Sequence, residues 1–111
     1  MKKVPESMIR WLDKLWEYKI KFRADFRCEL GGEAREGLDA HHIIGRRHWW
    51  TRWNLRNGIC VSRELHEPGK ILEWIKENRP KQYRWIIKQK QMIRPGQKPD
   101  LNLVLKKLEA A

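Results

Sequence analysis

The segment Leu38-Asp39-Ala40-His41-His42-Ile43-Ile44 decides how this chain is read. Its apolar residues and flanking turn signals predict a short β-strand from Leu38 to Ile44. Asn57 follows His42 by 15 positions, and His66 follows Asn57 by 9. A second strand is expected from Asn57 to Val61. Ser62 can then cap a helix through Arg63, Glu64, Leu65 and His66. The pattern is strand, loop, strand, helix. Three of the four histidines mark it, and the fourth, His48, lies in the loop.

Cutting a phosphodiester explains why such residues would be grouped. Water must lose a proton as it attacks, and a neutral imidazole with a pKa near about 6.5 can take that proton. A divalent cation can polarise the phosphate and hold the departing oxygen. One ring nitrogen cannot do both, but neighbours on a strand point to opposite faces, so His41 and His42 can divide the work. His66 can approach the same cation from the helix. Asp39 shares the strand face of His41, as a further ligand or as a carboxylate behind one. Imidazole and water ligands suit Mn²⁺ or Mg²⁺, with Ni²⁺, Co²⁺ or Zn²⁺ as substitutes.

Composition points to the partner. The chain has 111 residues, enough for one domain spanning 1–111. Lys and Arg outnumber Asp and Glu by 25 to 14, a net charge of +11 that draws polyanions, nucleic acid first. Seven tryptophans supply large apolar area to a small core, which argues against disorder despite a mean hydropathy of −0.83. No apolar run approaches the roughly 20 residues that span a bilayer. The sequence after Met1-Lys2-Lys3 lacks a signal-type apolar core, so a cytoplasmic protein of a bacterium or phage-infected host is expected. Cys28 and Cys60 lack close cysteine partners. They read as free thiols, and no structural zinc is expected.

Around the motif the chain is helical. Met8, Trp11, Leu12, Leu15, Trp16, Lys19, Phe22 and Phe26 follow helical spacing behind a Ser7 cap, giving an N-terminal scaffold over about 7–27. Gly31, Gly32 and Gly37 form a turn-rich segment. Pro68-Gly69 should bend or interrupt the helix that contains His66. Apolar faces resume at Ile71, Leu72, Trp74 and Ile75, then at Tyr83, Trp85, Ile86 and Ile87 on a helix from about Lys81 to Met92. Asp100 can cap a last helix carrying Leu101, Val104, Leu105 and Leu108. The expected fold class is α+β, mostly α, with one β-hairpin between an N-terminal helix and a C-terminal scaffold over 70–110.

The motif over about 38–69 resembles the ββα-metal core of HNH endonucleases, small phage and prophage members above all. The resemblance implies that His41 and His66 ligate one divalent metal and that His42 is the general base. It implies that Asn57 holds the hairpin loop and so orients His42, with Asn54 as a rival. It also implies a DNA hydrolase that nicks with low sequence specificity, leaving 5′ phosphate and 3′ hydroxyl. Duplex DNA is the expected substrate, single-stranded DNA a further candidate, and the protein a monomer or weak dimer. Two departures stand out. Members with a third histidine ligand carry it where this chain has Lys70, and zinc-stapled members carry paired cysteines that this chain lacks.

Blander readings compete at each position. An isolated His-His pair is most simply two rings bonded to backbone, but the intervals to Asn57 and His66 favour a site. His48, Glu64 and Glu67 read as solvated side chains. In the loop from Gly45 to Trp53, Arg46, Arg47 and Arg52 are candidate nucleic-acid contacts, and Trp50 and Trp53 are expected to anchor the loop. A non-catalytic nucleic-acid-binding module with the same fold, or an RNase or toxin-like nuclease, remains the alternative function.

Overall fold

A computed structural model describes residues 5–32, 35–65 and 67–111. Helix α1 (Glu6–Arg23) leads to strand β1 (Leu38–His42), a four-residue helix α2 (Trp49–Arg52) and strand β2 (Gly58–Ser62). Three helices follow, α3 (Pro68–Asn78), α4 (Pro80–Met92) and α5 (Leu101–Ala110). Single 3₁₀ turns stand before and after β2, at Leu55–Asn57 and Arg63–Leu65. The architecture is α+β, with one antiparallel two-stranded hairpin among helices.

Helix α1 carries the core. Leu12, Trp16 and Ile20 recur every fourth position and are fully buried, so one stripe of the helix lies on the hairpin. The stripe is narrower than the sequence spacing suggests. Trp11 and Phe22 are exposed, and Phe22 instead meets Tyr18 and Phe26 in an outer aromatic cluster. Ser7 does not cap the helix; it lies one residue inside, and Pro5 flanks the first turn with its carbonyl 3.1 Å from the Met8 N–H.

The hairpin pairs Leu38 with Ser62, Ala40 with Cys60 and His42 with Gly58 on one face. Asp39 opposite Val61 and His41 opposite Ile59 form the other. Gly37, in the left-handed region at φ 62°, turns the chain into β1. Strand β1 stops at His42 rather than Ile44 because only one further in-register bond forms before the Ile44 amide turns to a side chain. The Ile43 N–H bonds the Asn57 carbonyl and the Ile44 N–H bonds the Asn57 side chain.

Helix α3 begins at Pro68, so this proline opens the helix instead of bending one. Its missing N–H costs nothing in a first turn, and its fixed φ suits one. Ile71 and Ile75 then join the core with Ile59, Cys60 and Val61. Pro80 opens α4 in the same way, where Ile86 is buried while Tyr83, Trp85 and Ile87 are half-buried. The Asp100 carboxylate caps α5 by accepting from the Asn102 and Leu103 amides. Cys28 and Cys60 are buried free thiols, and burial, with Glu29 adding, pushes Cys60 up to about 11. No helix among the described residues is long and apolar enough to cross a membrane.

Gly58 is the most closely packed of the glycines. A Cβ there would overlap Ile20 Cδ1 and Trp16 Cζ2, both fully packed side chains. Gly58→Ala is expected to lower stability by about 2–3 kcal/mol, read from urea unfolding. An unchanged midpoint would mean that α1 can lift off the hairpin.

Candidate active site

His42 lies on the face of β1 that meets α1. Its ring stacks on the Trp16 indole, with centroids 3.9 Å apart and planes 9° from parallel. Its Nε2 is 2.9 Å from the Arg52 carbonyl oxygen. A carbonyl only accepts, so Nε2 carries the proton, and in the neutral ring Nδ1 keeps the lone pair. Burial lowers the pKa of His42 below its ordinary 6.5. The Arg52 carbonyl and the Asp13 charge oppose this, while the positive charges of Arg52 and Arg46 assist it. The ring is thus fixed in orientation and tautomer, with one basic nitrogen at neutral pH.

Asn57 connects this ring to the loop. Its side chain is wholly buried, and its Oδ1 accepts from the Ile44 N–H at 2.7 Å. Its Nδ2 donates to the Ile44 and Thr51 carbonyls at 3.0 and 3.1 Å. One amide therefore joins the end of β1, the start of β2 and helix α2. Asn54, its rival, instead caps the 3₁₀ turn by accepting from the Arg56 N–H at 2.9 Å.

Asp39 and His41 share the opposite face of β1, as alternation along a strand requires. The Asp39 Oδ1 accepts from Arg63 Nε at 3.1 Å. Among the described residues no three His, Cys, Asp or Glu side chains converge as a metal-ligand set. His66 lies outside the described residues. Imidazole and carboxylate on one strand face are suitable donors for a divalent cation, and the chemistry of the pair fits one.

The three loop arginines are placed differently. Arg46 and Arg47 are exposed. Arg52 is not: only 7% exposed, it forms a two-pronged ion pair with Asp13, Nε to Oδ1 at 3.0 Å and Nη2 to Oδ2 at 2.7 Å. Its guanidinium holds the loop to α1 and is withdrawn from solvent. Trp53 is buried and donates to the same carboxylate at 2.8 Å, whereas Trp50 is 48% exposed and anchors little. Asp13 was invisible as a site residue. Its only signal was an acid beside buried Leu12, three positions before Trp16.

No protein-family profile, curated protein or solved structure matches this chain.

Two measurements follow from this geometry. In an NMR titration the His42 midpoint should fall below 6.5. A lowered folded pKa means that its contribution to stability is complete above 6.5 and is lost as pH falls through the folded value. A midpoint at or above 6.5 would show that the Arg52 carbonyl and the Asp13 charge outweigh burial. Asp13→Ala, which strands the Arg52 guanidinium and the Trp53 N–H, should lower stability by about 3 kcal/mol. A loss below about 1 kcal/mol, the scale of an exposed pair, would show that the anchor is solvent-screened.

Proposed function

We propose that this chain is a metal-dependent endonuclease of the ββα-metal, or HNH, kind that hydrolyses DNA and nicks one strand at a time. The observation that carries the reading is His42 itself, a half-buried ring held through Nε2 by a backbone carbonyl, with Nδ1 left basic. A structural imidazole could share that carbonyl bond; what favours chemistry is a lone pair kept on Nδ1, on a strand whose other face carries His41 and Asp39. The excess of basic charge supports a polyanionic substrate.

In this mechanism His42 Nδ1 accepts the proton of the attacking water. The Arg52 carbonyl and the Trp16 indole keep the ring from turning as its charge changes. Asn57 maintains the loop that presents that carbonyl. A divalent cation held by His41 and His66, with Asp39 beside them, would supply positive charge to the phosphoryl group and the departing 3′ oxygen. Exposed Arg46 and Arg47 bind backbone phosphates. The products are a 5′ phosphate and a 3′ hydroxyl.

Supercoiled plasmid incubated with Mn²⁺, Mg²⁺ or EDTA tests the reading. Open circles should form with metal and not with chelator, and His42→Ala should slow their formation by roughly 10²–10⁴-fold while keeping the parent circular dichroism spectrum. The rate should climb with pH along a limb whose midpoint lies below 6.5. DNA retarded on a gel yet uncut with every divalent metal would replace this reading with a non-cutting binding module. Cleavage of structured RNA in preference to either form of DNA would reassign the substrate.

A further inference from the structure

Three concavities on the described surface share walls. One of about 620 Å³ lies between α2 and α5, lined by Trp49, Trp50, Trp53, Leu103 and Lys107 among others. Trp49 and Trp50 are also walls of a second, about 690 Å³, which Arg47, Arg94 and Lys98 complete. Arg56 joins the first to a third of about 360 Å³, where Arg23, Arg79 and Lys81 stand. Among the described residues the sole carboxylate lining any of them is Asp100, whose Oδ1 caps α5. Glu29 offsets part of the charge in the third, through ion pairs with Arg79 and Arg23. What remains is a track of adjoining concavities, the first two with apolar and aromatic walls, flanked by cationic side chains.

The two tryptophans at its centre differ. Trp49 meets Trp53 edge-on and carries the Lys98 ammonium 5.0 Å over its ring, so its faces serve the fold. Trp50 is 48% exposed between two cavities. A large indole in water, beside arginines and lysines, is the chemistry that takes a base on its face and phosphates on either side. In a duplex those base faces are covered by their neighbours, so the fit is to an unpaired strand.

We propose that this track binds an unpaired segment of nucleic acid, one base stacking on Trp50 and its phosphates on Arg47, Arg94 and Lys98. The binding stands by itself. Its consequence for cleavage, that the preferred substrate carries an unpaired stretch near the scissile bond, rests on the nuclease reading above. The two are linked through α2, since Trp50 precedes by two positions the Arg52 whose carbonyl holds His42.

Binding of a labelled oligothymidylate and of a blunt duplex, both in EDTA, separates the track from any cleavage. The single strand should bind more tightly than the duplex and quench tryptophan fluorescence. Trp50→Ala should weaken single-strand binding by about tenfold and abolish most of that quenching, while duplex binding changes less than about twofold. Trp50→Phe keeps a stacking ring and should restore most of the affinity, which separates stacking from misfolding. Arg94→Ala with Lys98→Ala should flatten the salt dependence. The proposal falls if Trp50→Ala binds the single strand as the parent does, or if sedimentation shows a dimer that Trp50→Ala dissociates. Single-strand binding without plasmid cleavage would keep the track and discard the nuclease; cleavage with an indifferent Trp50 would do the reverse.

Discussion

The indole of Trp16 is the contact on which the rest of the structure depends. One face takes the His42 ring, its edge presses on Gly58 across the hairpin, and its N–H donates to the Asn54 carbonyl at 2.9 Å. A single side chain on α1 thereby fixes both strands and the end of the loop between them. Burying an indole fully is worth several kcal/mol, of the order lost when a buried Trp is cut to Ala. In a chain this short, that is a large share of a typical net stability of about 5–15 kcal/mol. It also explains why position 58 is glycine: only a bare backbone lets the strand come so close to the helix.

The loop between the strands is held by polar groups, which is a costlier choice than apolar packing. Asn57 and Asp13 each satisfy several partners, so the desolvation of their polar atoms is offset by hydrogen bonds of good geometry. Such groups add little net stability compared with hydrocarbon, but they admit one arrangement only. The arrangement they select brings the Arg52 carbonyl to His42 Nε2. Arg52 thus has two functions at once, its side chain anchoring the loop and its backbone setting the tautomer of the ring. The same anchoring leaves Trp50 outside, next to the cationic side chains of the surface track.

Much of the secondary structure was legible, for local reasons. The apolar stripe of α1 at every fourth position, the turn glycines, the Asp100 cap and the break at Pro80 each act within a few residues of chain. Errors arose where local signals compete. Ser7 and Pro5 both suit a helix start. Pro68 can break a helix or open one, and only the path of the chain decides which. Trp11 and Phe22 carry helical spacing, yet a stripe as narrow as Leu12, Trp16 and Ile20 leaves them in water.

By itself the sequence determined which groups could do chemistry here: an adjacent histidine pair, an asparagine and an aspartate at strand-compatible spacing, and a polyanion-attracting charge. Those are properties of residue type and interval, and they survive in any conformation. Tertiary structure alone decided what each group touches. It turned Arg52 inward to Asp13, some forty positions away, and gave His42 a carbonyl that selects its tautomer. Contacts between distant segments depend on how α1 lies across the hairpin, and no spacing along the chain encodes that approach directly.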